Sequence, residues 1–410
     1  MTPQPTVTLD PAAVPNAVAP NAVAPQAAAP HVVAGADPAV NHATAASEIA
    51  MAFRPGFERV AAYRAGKPAP VGPGGQSIKL SSNENPYEPL PSVVERLAEV
   101  LPEAIRRYPS IAAEPVVAEI AARFGVAPEN IALGAGSVEV AGQLIHALTA
   151  PGDEVMFAWR SFEAYPILTR VAGAVPVEVP LTDDARHDLP TMADAITERT
   201  RVIFVCNPNN PTGTVVTEAE LAAFMARVPR HVLVVIDEAY VHFDLDPDSP
   251  SGLDFFGRYP NVAVLHTFSK AYGLGGLRIG YAIARPDVTE ALRKAAVPFA
   301  VTRLAQEAAL ISLRLENELQ QRIDVMTAER GRVEAALLAA GYPIVESQAN
   351  FVWLAADSES EGLAERLEAQ GISARCFAGE GVRISIGTPA ENDAVIDALG
   401  AVGTVSAISA

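Results

Sequence analysis

The stretch "VLVVIDEAY", Val232 to Tyr240, runs five aliphatic residues straight into an acid and ends on a tyrosine. A short, continuous, β-branched run of this kind is the pattern of a strand buried on both faces, as in a parallel sheet covered by helices. The neighbouring sequence repeats the theme: "RVIFV" at 201 leads into "CNPNNPTG", and "VAVLH" at 262 leads into "TFSK". Between such runs lie amphipathic segments: "NIAL" at 130 precedes "SVEVAGQLIHAL", "EVMFA" at 154 precedes "SFEAYPILTRVAG", and "TEAELAAFMARV" follows the Asn/Pro loop. The alternation predicts an α/β fold with a mostly parallel sheet. Ligands of open α/β sheets bind outside the carboxyl ends of the strands. Asn210, Asp237, Tyr240, Ser269 and Lys270 are therefore expected to converge on one crevice.

Beyond this region the character changes. A long helical stretch from about residue 303 to 341 leads to "NFVWLAA", the helix "GLAERLEAQG", "SARCF", "VRISIG" and a last helix at "ENDAVIDAL", which together predict a small α+β unit. On the N-terminal side, "SEIAMAFRPGFERVAAYRAG" from Ser47 predicts a short helix, a Pro/Gly break and a second helix reaching Arg64. The expected organisation is a disordered Ala/Pro-rich tail over 1–46, an arm over 47–75 that joins the small domain, a large domain over 76–310, and a small one over 311–410.

Composition narrows the function. With 410 residues and a formal charge of -18, the chain suits neither nucleic acid nor an anionic membrane, both of which need basic patches. Two cysteines, Cys206 and Cys376, are too few for a disulfide framework or a thiolate zinc site, which fits a reducing, cytoplasmic setting. The first 45 or so residues carry no Lys or Arg, so the usual export or transit signal is not expected there. No apolar run approaches the roughly 18 residues of a membrane span.

Each motif taken singly has a plain explanation. "NPNNPTG" is good turn chemistry. "VLVVIDE" resembles the magnesium-binding strand of a nucleotide-binding fold, but the G-x-x-x-x-G-K-[ST] loop is absent. "GAGSVE", Gly134 to Glu139, opens a helix like a dinucleotide fingerprint whose third glycine is replaced by Glu139, which leaves an anion site at a helix N-terminus. Lys270 is one of only four lysines among 30 basic residues.

The combination is more specific than its parts. A pyridoxal phosphate enzyme needs a lysine amine to condense with the cofactor aldehyde, a carboxylate facing the pyridine nitrogen, donors to the ring hydroxyl oxygen, and a phosphate cup. Lys270 supplies the amine and Asp237 the carboxylate. Asn210 and Tyr240 supply donors, Gly136 and Ser137 amides with Ser269 and Arg278 make the cup, and Phe162 can stack on the ring.

The landmarks "SSNENPYEPLP", "RRYPS", "CNPNNPTG", "VVIDEAY", "HTFSKAYGLGGLRIGY", "SQANFVW" and "VRISIG", in this order over about residues 50 to 400, resemble the fold type I aminotransferases and within them the histidinol-phosphate aminotransferase family. The blocks "WRSFEAYPI" and "VPFAVTRLAQEAA" look most like its actinobacterial aromatic (phenylalanine) branch. The resemblance implies that Lys270 is the cofactor lysine, with Arg278, Asp237, Tyr240 and Asn210 in matching roles. It implies that Tyr87 reaches the cofactor phosphate of a second subunit, hence a homodimer with shared sites. It further implies that Arg383, Arg375 and Asn83 face the substrate, and that no metal takes part. Two positions depart from the branch. His266 stands where arginine is expected, either as a substrate determinant or as a packed strand-end histidine, and Val138 stands where many relatives have aspartate. The expected activity is amino transfer between an aromatic amino acid and a 2-oxo acid. The alternatives are amino transfer from histidinol phosphate, a decarboxylase on the same scaffold, and a non-catalytic binding domain.

Overall fold

The computed structural model describes residues 53–400; the expected Ala/Pro tail lies outside the described residues. The strands in chain order are β1 (Ile78–Lys79), β2 (Ile131–Gly134), β3 (Glu154–Trp159), β4 (Val175–Pro180), β5 (Thr200–Cys206), β6 (Leu233–Asp237), β7 (Val262–Thr267) and β8 (Gly280–Ile283). All but β1 form one seven-stranded sheet in the order β2-β8-β7-β6-β5-β3-β4. The pairs from β4 through β7 are parallel, and β8 runs antiparallel to both β7 and β2. Strands β4 and β8 escape the sequence reading, since "VPVEVP" carries two prolines, which argue against a strand, and "GYAI" has only four residues.

Alternation along each strand feeds two separate cores. On β6, Val234 and Ile236 join one core with Val205, Phe243, Phe255 and Phe268, while Val235 joins the other with Phe157, Tyr165, Phe204 and Leu265. Residues two apart share a face, so a continuous aliphatic strand supplies both layers at once. Each such buried side chain contributes about 1.5–3 kcal/mol relative to exposure. The strand's last residue, Asp237, points to the second face where the helical cover stops, and there the site opens.

The C-terminal region carries β9 (Ile344–Val345), β10 (Phe351–Ala355), β11 (Ile372–Ser373), β12 (Arg375–Phe377) and β13 (Gly381–Ser385). Four of these form an antiparallel sheet, β12-β13-β10-β9, and β11 pairs in parallel with β1. Its own core contains Val352, Leu354, Leu363, Leu367, Val382 and Ile384, together with Ile78 and Leu80 from far upstream.

Two expectations about helices need correction. The first of the two helices expected between Ser47 and Arg64 lies mostly outside the described residues; in place of the second, residues 57–64 hold only one turn of 3-10 helix, Phe57–Arg59, which follows Pro55 and Gly56, the latter at φ 86°. The apolar residues after it have little to pack on: Val60 is half-buried and Tyr63 is exposed. The predicted single helix after residue 303 is two, Arg303–Arg314 and Glu316–Ala339, broken at Leu315. The first packs along the helices Pro91–Ala104 and Glu114–Phe124, whereas the second reaches β10 and the C-terminal helix Pro389–Gly400, a path one straight rod cannot follow. The second helix is shared: Leu319, Ile323 and Met326 lie in the large core, and Val333 and Leu337 in the small one.

Candidate active site

The carboxyl ends of β5, β6 and β7 open onto a cavity of about 480 Å³ that is walled on its other side by β12 and β13. Asp237 ends β6 level with Cys206 at the end of β5. Its Oδ2 accepts from the Tyr165 hydroxyl at 2.6 Å and its Oδ1 from the Ala239 amide at 3.2 Å. Burial raises the Asp237 pKa against the opposing pull of Tyr165. A buried carboxylate held by two donors is a strong partner for a cation placed opposite it.

Lys270 follows β7 in a turn fixed by the Asn85 side chain, which donates to the carbonyls of Lys270 (3.3 Å) and Ala271 (3.0 Å). Its Nζ reaches back to the carbonyls of Ser82 at 3.3 Å and Asn83 at 3.2 Å. Burial, and next the guanidinium of Arg383, lower its pKa to about 7; Glu84 works the other way. A depressed lysine pKa means that the neutral, nucleophilic amine is already half-populated near neutrality and grows as pH rises. In cofactor-free protein, amine labelling read peptide by peptide is expected to show Lys270 half-reactive at about pH 7. A Lys270 that stays unreactive until its ordinary range near 10.4 contradicts this.

The remaining residues fall into place around these two. Tyr240 is buried with its hydroxyl 3.0 Å from the Asn83 amide, and burial pushes its pKa up. Asn210 Oδ1 accepts from Arg383. Arg383 is buried on β13 and also donates to the Ser81 carbonyl at 2.9 Å, and its Nε has no partner among the described residues. Phe162 lines the cavity and packs edge-on against Tyr165.

At the far end a cationic cradle forms. Arg278, held at φ 58°, donates to Ser269 Oγ (3.3 Å) and to the Gly275 carbonyl (2.9 Å). Gly136, at φ 88°, caps the helix Ser137–Leu148, and a Cβ there would collide with the Arg278 guanidinium. Only glycine lets the guanidinium and the helix N-terminus share one anion position. A phosphate-bearing aromatic cofactor that needs an amine, a buried carboxylate and an anion cup fits this donor set.

Tyr87 lies elsewhere, in a separate depression with Leu90, Glu318 and Arg322. Val138 lines the cavity, but His266 does not. The His266 ring stacks on Tyr281 and meets Glu238 Oε2 at 2.8 Å, so of its two open readings the packed strand-end histidine is the one observed. Sequence reasoning missed Tyr165, Asn85 and Glu163. All three lie inside landmark stretches, Asn85 in "SSNENPYEPLP" and Glu163 and Tyr165 in "WRSFEAYPI". They act through other site residues, Asn85 on the Lys270 turn, Tyr165 on Asp237 and Glu163 on Arg375, and that link appears only in the fold. No cluster of three or more His, Cys, Asp or Glu suited to a metal occurs among the described residues. No helix among them is long and apolar enough to cross a membrane.

The sheet, the helix-capped anion cradle and the strand-end lysine together define a fold type I pyridoxal-phosphate-dependent transferase scaffold. The chain belongs to the aminotransferase class I and II family, whose model matches residues 76–399. It is 57% identical over 326 residues to an aromatic amino acid aminotransferase of Cutibacterium acnes, covering 80% of this chain and 92% of that one. It is 54% identical over 347 residues to one of Streptomyces coelicolor, covering 85% and 96%. Among solved structures, the histidinol-phosphate aminotransferase of Sinorhizobium meliloti in complex with pyridoxal-5'-phosphate superimposes with a TM-score of 0.77 at 25% identity, covering 86% of this chain and 98% of that one.

Proposed function

We propose that this protein transfers an amino group between an aromatic amino acid of the phenylalanine or tyrosine type and a 2-oxo acid, using pyridoxal 5'-phosphate. The observation that carries the reading is one cavity in which the softened amine of Lys270 sits with the Asp237 carboxylate, the Arg278 cradle and the unpaired charge of Arg383. Relatives at 57% and 54% identity that bear the aromatic name support the substrate class.

When bound, the cofactor supplies an electron sink for the pair left when the substrate Cα–H bond breaks, and a carbon that exchanges the amino group. Lys270 Nζ would take the proton from Cα and hand it on, which its low pKa permits near neutrality. Asp237 would hold a proton on the pyridine nitrogen by charge, with Tyr165 fixing the angle of that carboxylate. Asn210 and Tyr240 would donate to the ring hydroxyl oxygen, with Asn83 orienting Tyr240 and facing the substrate. Phe162 would stack on the ring. The amides at Gly136 and Ser137, with Ser269 and Arg278, would hold the phosphate. Arg383 clamps the substrate α-carboxylate, and Arg375 stands at the side-chain end.

Tyr87, away from the cavity of its own chain, completes the phosphate site of a second copy, so the working unit is a homodimer. In this reading a large domain and a small C-terminal domain face each other across the cavity, with Ile78, Leu80, Val333 and Leu337 packed in the small one and Leu319, Ile323 and Met326 in the large one. The composition fits a cytoplasmic enzyme.

The deciding experiment compares kcat/KM for phenylpyruvate plus glutamate with that for histidinol phosphate plus 2-oxoglutarate. The aromatic pair is expected to be preferred by at least about 100-fold, since Phe162, Ile167, Leu168 and Phe377 line the cavity with apolar surface that suits an aromatic side chain and not a phosphate monoester. A preference for histidinol phosphate overturns the substrate assignment.

A further inference from the structure

Five cationic side chains line the cavity, and four of them have a place in the reading above. Lys270 is the amine for the cofactor, and Arg278 belongs to the anion cradle. Arg383, buried on β13, holds the Asn210 side-chain oxygen and the Ser81 carbonyl and is placed for the α-carboxylate. Arg375 is forked onto Glu163, with Nε to Oε2 at 3.2 Å and Nη2 to Oε1 at 2.9 Å and to Oε2 at 2.7 Å. The fifth is Arg64, on the N-terminal arm. It is exposed, and it makes no hydrogen bond or ion pair among the described residues.

The arm is fastened just beyond this residue. Gly66 lies so close to Ser81 and Ser82 that a Cβ there would stand 2.5 Å from both hydroxyl oxygens. Ser81 Oγ donates to the Lys67 carbonyl at 3.1 Å, and Lys67 Nζ meets Glu368 at 3.0 Å. The carbonyl of that same Ser81 accepts from Arg383 at 2.9 Å. One residue thus ties the arm to the arginine that serves the α-carboxylate, and the arm delivers Arg64 to the same cavity from the solvent side. On its other side Ala61, Ala62 and Tyr63 are exposed and belong to no helix or strand.

The proposed reaction asks one cavity to take two kinds of side chain in turn. An aromatic amino acid brings one carboxylate and an apolar ring, for which Phe162, Ile167, Leu168 and Phe377 offer surface. A dicarboxylic 2-oxo acid brings a second carboxylate to the same place, and that group needs a cation with no other duty. Using Arg375 would strip Glu163 of its partner and leave two carboxylates together. A fixed, buried cation would be left unpaired whenever the ring is bound, at a desolvation cost. An exposed arginine escapes both problems, because it pairs with the dicarboxylate and stays in water beside the ring.

Resting on the aminotransferase reading above, we infer that Arg64 is a specificity-determining residue: it receives the second carboxylate of a dicarboxylic partner substrate and lets the cavity that takes an aromatic side chain take that partner as well. The test is calorimetric binding of three unreactive acids to the cofactor-loaded protein: glutarate, its monoamide and 3-phenylpropionate. Arg64→Met keeps the length of the side chain and removes the charge. Glutarate affinity is expected to fall about three- to tenfold, while 3-phenylpropionate stays within about twofold. The monoamide, whose second end is uncharged, should bind alike in both proteins. Arg64→Lys should keep most of the glutarate affinity, since the charge remains. Lys67→Met removes an arm cation that does not line the cavity and should leave all three affinities unchanged. An unchanged glutarate affinity in Arg64→Met, an equal loss for all three acids, or an equal glutarate loss in Lys67→Met overturns the inference. Phenylalanine transamination by the unaltered protein separates the two levels. If it is present while glutarate affinity is indifferent to Arg64, only the role of Arg64 is wrong; if no amino acid is transaminated, the reading beneath it is.

Discussion

Replacing Lys270 by alanine is expected to cut kcat for transamination by ~10⁴-fold or more, since one group both captures the cofactor and carries the proton. The visible absorbance of the cofactor-loaded protein should change with it, because that band reports the covalent attachment. Folding should survive. The amine makes only two long contacts, to the carbonyls of Ser82 and Asn83, and its lowered pKa shows that the native state gains nothing by keeping it charged. A small primary amine added to the variant should restore part of the turnover by standing in for Nζ. Retention of more than about a tenth of the wild-type rate without added amine would remove Lys270 from its role.

The second large effect is expected at Asp237. In Asp237→Asn the shape is kept, and the amide oxygen can accept from the Ala239 N–H while the amide nitrogen donates to the Tyr165 hydroxyl oxygen, so packing at the end of β6 is preserved. What goes is a negative charge in a fully enclosed position. Removing a preorganised charge or donor from such a site costs about 2.7–4 kcal/mol of transition-state stabilisation, so kcat should fall ~10²–10³-fold. The phosphate end should still bind, since Arg278, Ser269 and Gly136 are untouched. Titration with cofactor separates the two effects: a variant that loses cofactor affinity and turnover in equal measure would make Asp237 an anchor rather than an electronic partner. A variant that turns over within about threefold of wild type would exclude both roles.

Much of the molecule is legible in its sequence because local rules act over short spans. The aliphatic runs at 201, 232 and 262 are short, β-branched and bounded by turn residues, the pattern of strands covered on both faces, and such strands place whatever follows them at one edge of the sheet. For that reason Asn210, Asp237, Ser269 and Lys270 could be named together before any coordinates. The turn residues of "CNPNNPTG" and the glycine at 136 likewise carry their own conformational requirement.

Tertiary structure alone decided the rest. The break at Leu315 follows from two helices having to serve different cores, which no periodicity within either segment announces. The missing helix before Arg64 reflects the little surface available to bury its apolar face. The state of the arginines is decided at the greatest range. Arg375 and Arg383 lie eight residues apart on adjacent strands and look alike in sequence, yet one is neutralised by Glu163, 212 residues upstream, and the other faces the cavity with its charge uncompensated. Local sequence fixes which charges a chain carries. Their effective sign at a site depends on which partner the folded chain brings within about 3 Å, because Coulomb energy falls off with distance and is strong only where water is excluded.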